Sequence, residues 1–159
     1  MKQWTGEDQT RRKFCSQATL AVCGGALGMM LEGCGGGGSA TSPTNVAALP
    51  TVTGTRVSGG VTLTIGSSSP LSAVGSAALV LTSSGDFLVG HTAPTTFVAL
   101  SAICTHQTCT IAGFSNQTYV CPCHGSTFDI NGRVLGGPAP ASLHQYPTQF
   151  TDPVLTITA

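Results

Sequence analysis

The sequence predicts an all-β fold, and three observations support this prediction. Apolar residues alternate with polar ones in several short runs, which is the period of a half-buried strand. Turn-forming residues separate these runs. Beyond residue 33, no apolar stripe with the 3.6-residue period of a helix reaches a useful length. We therefore expect strands throughout the folded part of the chain.

The first predicted strands lie between residues 61 and 100. Residues 61–65 (VTLTI) alternate strictly and place three apolar side chains on one face. Residues 77–81 and 87–89 flank the turn-forming sequence SSGD, which predicts a hairpin. Residues 97–100 form a further apolar run. All four segments are short enough for the strands of a small β domain.

The second half of the chain predicts further strands. Residues 118–120 form a short strand, and an Asn-Gly dipeptide separates residues 128–130 from residues 133–135. Asn-Gly between two such runs is a strong indication of a tight hairpin, because both residues tolerate positive φ. Residues 154–158 alternate again and are expected to close a sheet.

Charged residues are scarce after the first 48 positions. The five that remain are Arg56, Asp86, Asp129, Arg133 and Asp152. Such a surface has no basic face for nucleic acid, so we expect no nucleic-acid partner. The roughly 110 residues that follow suffice for one domain with a modest core.

Two cysteine–histidine motifs carry the chemistry of the chain. They are residues 104–109 (CTHQTC) and residues 121–126 (CPCHGS). Thiolate and imidazole ligands select iron–sulfur clusters, zinc or copper over hard cations. Zinc sites usually show Cys-x-x-Cys or closely spaced histidine pairs, whereas these motifs read Cys-x-His and Cys-x-x-His. A zinc-stapled binding module stays open as an alternative, and a pure disulfide framework would give the histidines no role.

Together the motifs resemble the cluster-binding motifs of Rieske iron–sulfur proteins, in the disulfide-containing branch of quinol:cytochrome c oxidoreductases. The resemblance covers about 110 residues from Leu49 onward. It implies one [2Fe–2S] cluster per chain, with two thiolates on one iron and two imidazoles on the other. The implied ligands are Cys104, His106, Cys121 and His124, and the implied hydrogen-bond donor to a bridging sulfide is Ser126.

The resemblance also implies an architecture. It predicts an antiparallel β-sandwich or barrel base with a cluster-binding subdomain inserted at about residues 101–141. The sequence GGPAP at residues 136–140 resembles the proline loop that covers the cluster in this family. Phe128 stands where high-potential members carry a tyrosine, and Gln107 stands where quinol-oxidising members carry a leucine.

The two remaining motif cysteines, Cys109 and Cys123, correspond to a pair that forms a disulfide between the cluster loops in this branch. A disulfide persists only in an oxidising compartment, so the pairing predicts export. Two free buried thiols are the alternative. His91 and His144 lie outside the motifs, and we expect them to be ordinary loop or surface histidines.

The N-terminus agrees with export. Residues 10–14 (TRRKF) look like a twin-arginine signal, and the apolar residues 18–31 follow them. This apolar stretch is too short and too rich in glycine to span a hydrocarbon core, which needs about 20 apolar residues. We therefore expect residues 1–33 to be a signal peptide that takes no part in the fold.

The sequence after the signal predicts a tethered domain. The sequence LEGC ending at Cys34 looks like a lipoprotein motif, with ordinary cleavage nearby or an uncleaved anchor as alternatives. Residues 34–48 are rich in Gly, Ser, Thr and Pro and are expected to form a flexible linker. Residues 49–159 form the Rieske domain. We expect an extracytoplasmic, periplasmic protein that is associated with the membrane through lipidated Cys34 or a partner.

Three functions compete at this stage. The first is the electron-transfer subunit of a quinol:cytochrome c oxidoreductase, with a cytochrome b or c as partner and quinol as a candidate donor. The second is the small Rieske subunit of a periplasmic oxidase of the arsenite oxidase type, or a free-standing lipid-tethered carrier. The third is the zinc-stapled module. In the first two functions the chain is a component of an oxidoreductase and not a complete enzyme.

Overall fold

The computed structural model describes residues 46–159, and in this range the chain forms thirteen β-strands and no helix. The strands are β1 (Thr51–Thr53), β2 (Thr55–Val57), β3 (Gly60–Thr64), β4 (Ala77–Leu81), β5 (Phe87–Ala93), β6 (Thr96–Ser101), β7 (Gly113–Ser115), β8 (Thr118–Val120), β9 (Thr127–Asp129), β10 (Val134–Gly136), β11 (Gln145–Tyr146), β12 (Thr148–Thr151) and β13 (Val154–Thr158). The predicted all-β fold class is confirmed. The described part of the chain holds no helix that could cross a membrane. The expected signal peptide, Cys34 and most of the linker lie outside the described residues.

The strands form three sheets. The central sheet has the order β1-β4-β5-β6-β11, the outer sheet β12-β13-β3-β2, and the small sheet β10-β9-β8-β7. Among the strand pairs of residues 46–159, β1 with β4 is parallel and the others are antiparallel. This predominance fits the short connections between most successive strands, because antiparallel neighbours can be joined by a tight turn.

The central sheet contributes to two different cores. In β5, Leu88 packs in a core shared with the small sheet, whereas Val89 packs in a core shared with the outer sheet. Leu100 and Ala99 of β6 divide in the same way. This division follows from the strand period, because successive side chains point to opposite faces. We call the first the loop-side core, since it contains Cys104 and Cys121, and the second the distal core.

Two sequence predictions are confirmed by strand registers in the outer sheet. Val61 pairs with Ile157 and Leu63 with Leu155, and all four side chains are buried. The alternation at residues 61–65 and 154–158 therefore reports one shared apolar face. Burying such β-branched and leucine side chains contributes roughly 1.5–3 kcal/mol each.

The predicted hairpins are also present. Strands β4 and β5 pair in antiparallel register around the turn, where the Thr82 backbone N–H donates to the Asp86 carboxylate at 3.3 Å. Strands β9 and β10 pair around the Asn-Gly turn, and Gly132 has the positive φ of 83° that such turns require. The Asp129 carboxylate accepts the Arg133 N–H at 2.8 Å and so holds this turn closed.

The small sheet is inserted between two paired strands of the central sheet. Strand β6 ends at Ser101 and β11 begins at Gln145, and Leu100 pairs with Gln145. The chain between them forms the small sheet and the loops that carry both cysteine–histidine motifs. The motifs are therefore presented from one face of the central sheet.

Gly90 in β5 allows the small sheet to approach the central sheet closely. A Cβ atom at this position would lie 2.7 Å from Cγ1 of Ile130 and 3.0 Å from the hydroxyl of Tyr119. The first distance is shorter than Cβ atoms tolerate and the second is tight, so only glycine fits without movement of its neighbours.

The incoming chain also packs on the small sheet. The Phe114 N–H donates to the Ala47 carbonyl at 2.9 Å, and the Leu49 N–H donates to the Ala112 carbonyl at 2.7 Å. These bonds extend the small sheet at its β7 edge. The backbone groups of this edge are thereby partly satisfied.

One expectation about the histidines is wrong. His91 is buried in strand β5 and is not a loop or surface residue. Its ring stacks on Phe97 with centroids 4.2 Å apart, and its Nδ1 lies 2.8 Å from the Leu71 carbonyl. The stacking and this hydrogen bond offset part of the cost of burying an imidazole. His144, by contrast, is exposed immediately before β11, as expected.

Candidate metal centre

The first motif forms a closed loop between β6 and β7. The Cys104 N–H donates to the Cys109 carbonyl at 2.9 Å, and the Ile111 N–H donates to the Ala102 carbonyl at 2.8 Å. The buried Ala102 and Ile111 anchor the two ends of the loop in the loop-side core. The loop is therefore a fixed platform for the side chains that it carries.

The second motif repeats this arrangement between β8 and β9. The Cys121 N–H donates to the Ser126 carbonyl at 2.8 Å, and the Gly125 N–H donates to the Cys121 carbonyl at 3.0 Å. Gly125 has a φ of 72°, which a residue with a side chain rarely adopts. Strands β8 and β9 pair directly below the loop, with Val120 opposite Thr127.

The two loops bring two buried thiols together. Cys104 and Cys121 are 3% and 1% exposed, and neither is in a disulfide. Burial acts to raise the pKa of the Cys104 thiol, but hydrogen bonds from the His106 backbone and the Cys121 thiol outweigh burial, and this pKa is lowered. Burial and the adjacent Cys104 sulfur raise the pKa of Cys121. Negative charge therefore collects first on the Cys104 sulfur, as a thiolate metal ligand requires.

The two motif histidines lie side by side. The ring centroids of His106 and His124 are 4.9 Å apart, and their planes are nearly perpendicular. His124 is exposed, whereas Nδ1 of His106 is buried and has no hydrogen-bond partner in the described part of the chain. A buried polar atom without a partner is uncommon and costly. A metal bound at this nitrogen would satisfy it.

Cys109 and Cys123 form a disulfide between the two loops, with Cα atoms 6.5 Å apart. This confirms the pairing that the family resemblance implied. The sulfurs of Cys109, Cys121 and Cys123 lie within 4.8 Å of one another, which by distance alone resembles a metal-binding trio. Two of these sulfurs are consumed by the disulfide, so this trio cannot ligate a metal. The free donors are the thiols and imidazoles already described.

Ser126 connects the second loop to the first and to the proline loop. Its side chain is fully buried, and its hydroxyl donates a hydrogen bond to the Cys104 sulfur. The same oxygen accepts the Ala139 N–H at 3.2 Å. The bond from Ala139 fixes the oxygen and so aims the hydroxyl hydrogen toward the sulfur.

The proline loop is fastened to both motifs. The Thr105 hydroxyl donates to the carbonyl of Ala141, the residue that follows this loop, at 2.6 Å. Gly137, with a φ of 86°, packs directly on the second motif, where an added Cβ would lie 2.6 Å from Cα of Ser126. The expected cover over the site is therefore in contact with both loops. The sequence analysis did not single out Thr105 or Gly137, although the Gly-Gly-Pro sequence indicated a turn that demands glycine.

Two substitutions relative to the family pattern are visible in the site. Phe128 is fully buried in the loop-side core together with Cys104 and Cys121, and it has no hydroxyl to donate. Gln107 is exposed, and its backbone N–H donates to the Cys104 sulfur. The backbone at this position therefore serves the site, while the side chain gives the rim a polar character.

The donor set fits a [2Fe–2S] cluster. Two mutually hydrogen-bonded thiols are buried, two imidazoles lie side by side, and the disulfide joins their loops. The buried Nδ1 of His106, which has no hydrogen-bond partner among residues 46–159, is suited to bind a metal ion. Mixed thiolate and imidazole ligation of this kind suits an iron–sulfur centre with two nitrogen ligands.

Comparison with known proteins agrees with this chemistry. The family model of the Rieske [2Fe–2S] domain matches residues 64–147. Iron–sulfur subunits of cytochrome b6-f complexes from two strains of Prochlorococcus marinus are 45% identical over 60 residues and 53% identical over 45 residues. These matches span 37% and 28% of this chain, but only 30% and 25% of the relatives' own lengths.

The chain is also similar to solved structures. A plasma-membrane Rieske protein of Synechocystis is 31% identical, with a TM-score of 0.47, over 52% of this chain and 86% of its own. A naphthalene 1,2-dioxygenase is 18% identical, with a TM-score of 0.51, over 61% of this chain and 25% of its own. The dioxygenase likeness supports the fold.

The family match covers just over half of the 159 residues and includes both motifs, the disulfide and the proline loop. A domain of this family carries a [2Fe–2S] cluster and transfers electrons. The chain therefore belongs to the Rieske [2Fe–2S] domain family.

Proposed function

We propose that this protein is an exported one-electron carrier that resembles the iron–sulfur subunit of quinol:cytochrome c oxidoreductases. Its cluster is held by Cys104, His106, Cys121 and His124. The observation that carries the proposal is the pair of hydrogen-bonded thiols joined by a disulfide between their loops. The disulfide supports the quinol-oxidising branch, in which the resemblance places such a pair.

The bound cluster supplies a one-electron couple, and Rieske centres span about −150 to +300 mV. The protein tunes this couple through donors to sulfur. The Ser126 hydroxyl and the backbone of His106 donate to the Cys104 sulfur, which favours the more negatively charged reduced state. Phe128 contributes no such donor, which places the expected potential below that of a variant with tyrosine at this position.

One of the two histidines is accessible to a donor molecule. His124 is exposed, so its ring can form a hydrogen bond with a hydroxyl of the electron donor. Such access is what a carrier needs when its donor binds through a hydroxyl group, as a quinol does.

We propose export by the twin-arginine pathway to the periplasm and attachment to the membrane through lipidated Cys34. The disulfide supports an oxidising destination. Export of the folded domain would allow cluster insertion in the cytoplasm, where thiols stay reduced, before the disulfide closes. The redox partner in this proposal is a cytochrome-containing complex, as the names of the curated relatives suggest.

The experiment that tests the assignment is iron and sulfide analysis with electron paramagnetic resonance of the purified protein. We expect two irons and two acid-labile sulfides per chain and a Rieske signal in the reduced state. His106→Ala and His124→Ala should each abolish the signal. His144→Ala, which removes an exposed histidine outside the motifs, is the matched control and should leave it intact.

Zinc without iron in protein made under cluster-forming conditions would contradict the proposal and favour the zinc-stapled module. A second measurement separates the two redox functions. Rapid reduction by a soluble quinol supports the quinol-oxidising function. A cluster that quinol does not reduce, but that copurifies with a large periplasmic oxidase subunit, supports the alternative.

A further inference from the structure

A cavity lies on the distal side of the central sheet. Its volume is about 310 Å³, and its wall includes Ile65, Ser72, His91, Phe97, Phe150 and Asp152. His91 and Phe97 belong to β5 and β6 and point into the face that carries the distal core. The cluster loops pack on the opposite face of the same sheet. This cavity is therefore separate from the redox site.

His91 is the unusual residue of this wall, because it is 5% exposed and its Nε2 is buried without a hydrogen-bond partner in residues 46–159. Its Nδ1 faces the Leu71 carbonyl at 2.8 Å. A carbonyl can only accept, so Nδ1 carries the hydrogen and Nε2 of the neutral ring is an acceptor. A buried acceptor without a donor is costly, so a donor from outside the chain would stabilise it.

The remaining wall defines the chemistry of that donor. Phe97 stacks on the His91 ring, and Phe150 packs on Phe97 with centroids 4.9 Å apart. These rings provide an apolar surface suited to an aromatic group. Asp152 is the charged residue on the wall, and no cationic side chain lines it. The cavity therefore disfavours anions and accepts a neutral or cationic molecule.

We propose that this cavity binds a small neutral or cationic aromatic molecule whose O–H or N–H group donates a hydrogen bond to Nε2 of His91. The volume lies at the lower end of the range for small-molecule sites, which suits a single ring with one substituent. Because Nε2 is buried, a side chain of the wall must move slightly on binding. Phe150 is half-buried and lines the same wall. The proposal does not depend on the electron-transfer function.

Phenol and toluene test the proposal, because they have similar shape but only phenol has a donor. Protein with its cluster bound and with 15N-labelled histidine is titrated with each probe. Phenol should bind saturably and shift the Nε2 resonance of His91, whereas toluene should bind more weakly and leave that resonance nearly unchanged. His91→Asn keeps a donor for the Leu71 carbonyl, but its shorter side chain places no acceptor at the position of Nε2. It should weaken phenol binding by about tenfold, as expected for one hydrogen bond, and leave toluene binding unchanged.

Three outcomes would overturn the proposal. The first is no saturable phenol binding up to the solubility limit with the Nε2 signal unchanged, which means that an ordered water alone satisfies the nitrogen. The second is equal affinity for phenol and toluene. The third is an unchanged phenol affinity in His91→Asn. If that variant does not fold, the Nε2 shift in the unmodified protein decides the matter.

Discussion

Phe128 lies fully buried in the loop-side core, beside the thiols of Cys104 and Cys121. It pairs with Tyr119 across β8 and β9 and with Val134 across β9 and β10. A ring held on both sides has little freedom to move. A hydroxyl added to this ring would therefore be presented at one fixed position in the core.

Phe128→Tyr is expected to raise the reduction potential. If the added hydroxyl reaches the Cys104 sulfur, it forms a hydrogen bond to a charged acceptor, which contributes about 1.5–3 kcal/mol. Only the part that differs between redox states counts, and about 1 kcal/mol corresponds to a rise of roughly 40 mV. Ser126→Ala should lower the potential by a similar amount or more. Protein-film voltammetry at one pH measures both variants.

Phe150→Tyr is the control, because that ring lies in the distal core and should not affect the potential. An unchanged or lowered potential in Phe128→Tyr, with the cluster intact, would show that the hydroxyl does not reach the sulfur.

Tyr119, unlike Phe128, carries a buried hydroxyl. Its oxygen is buried without a partner in the described range, and burial raises the pKa of the phenol well above its usual range. Because the folded state disfavours the phenolate, stability is complete below the unfolded-state pKa of about 10 and falls as the pH rises beyond it.

Tyr119→Phe should therefore keep or raise the thermal midpoint at neutral pH, since it removes an orphaned hydroxyl. It should also reduce the loss of stability above about pH 10. Thermal melting across pH 7–11 checks both effects. Tyr146→Phe, at a half-buried ring, controls for the removal of one phenol. Identical alkaline curves for Tyr119→Phe and the unmodified protein would contradict the prediction.

At the scale of the elements, strands with strong alternation could be predicted and short polar strands could not. Strand β3 could be predicted because its apolar residues alternate and share one buried face of the sheet with those of β13. Strand β2 has no buried residue, so its sequence carries no period that marks a buried face. The expectation for His91 is wrong because an isolated histidine in a sequence indicates a surface position. Phe87 and Val89, which lie on the same face of β5, are buried in the distal core, and their pattern places His91 there too.

Some features of the site could likewise be predicted from the sequence, and others could not. The cysteines and histidines lie within two short loops, so their spacing was visible in the sequence. The bonds that join these loops to the proline loop connect residues far apart in the chain, such as Thr105 with Ala141. No local pattern encodes such a contact. It arises when β6 and β11 close the inserted segment.

Gly90→Ala tests the packing between the central and small sheets. The new methyl group would meet Ile130 and Tyr119, and such overpacking costs about 1–3 kcal/mol. We expect a thermal midpoint lower by several degrees and weaker cluster retention. Gly66→Ala is the control, because a Cβ at Gly66 meets no atom within 4 Å. Equal midpoints for the two variants would show that the sheets can separate without cost.

At the scale of the whole molecule, the proposed twin-arginine signal and the disulfide make one linked prediction. If the proposal is right, replacing the Arg11-Arg12 pair by Lys-Lys should hold the protein in the cytoplasm, because this pair is the defining feature of such a signal. Cell fractionation measures the location, and mass spectrometry measures the Cys109–Cys123 crosslink. The retained protein should show less of this crosslink than the exported protein. Undiminished export of the variant would point to another route.

The division of the central sheet between two cores has a consequence for how this protein can vary. Neighbouring residues of β5, such as Leu88 and Val89, pack in different cores. A substitution at Val89 changes the packing of the distal core, whereas a substitution at Leu88 changes the packing of the loop-side core, which contains the thiols. Two substitutions, one in each core, that share no packing partner should therefore have additive effects on the free energy of unfolding. Residues of the distal core can then change, even so as to bind another molecule, without a change in the reduction potential of the cluster.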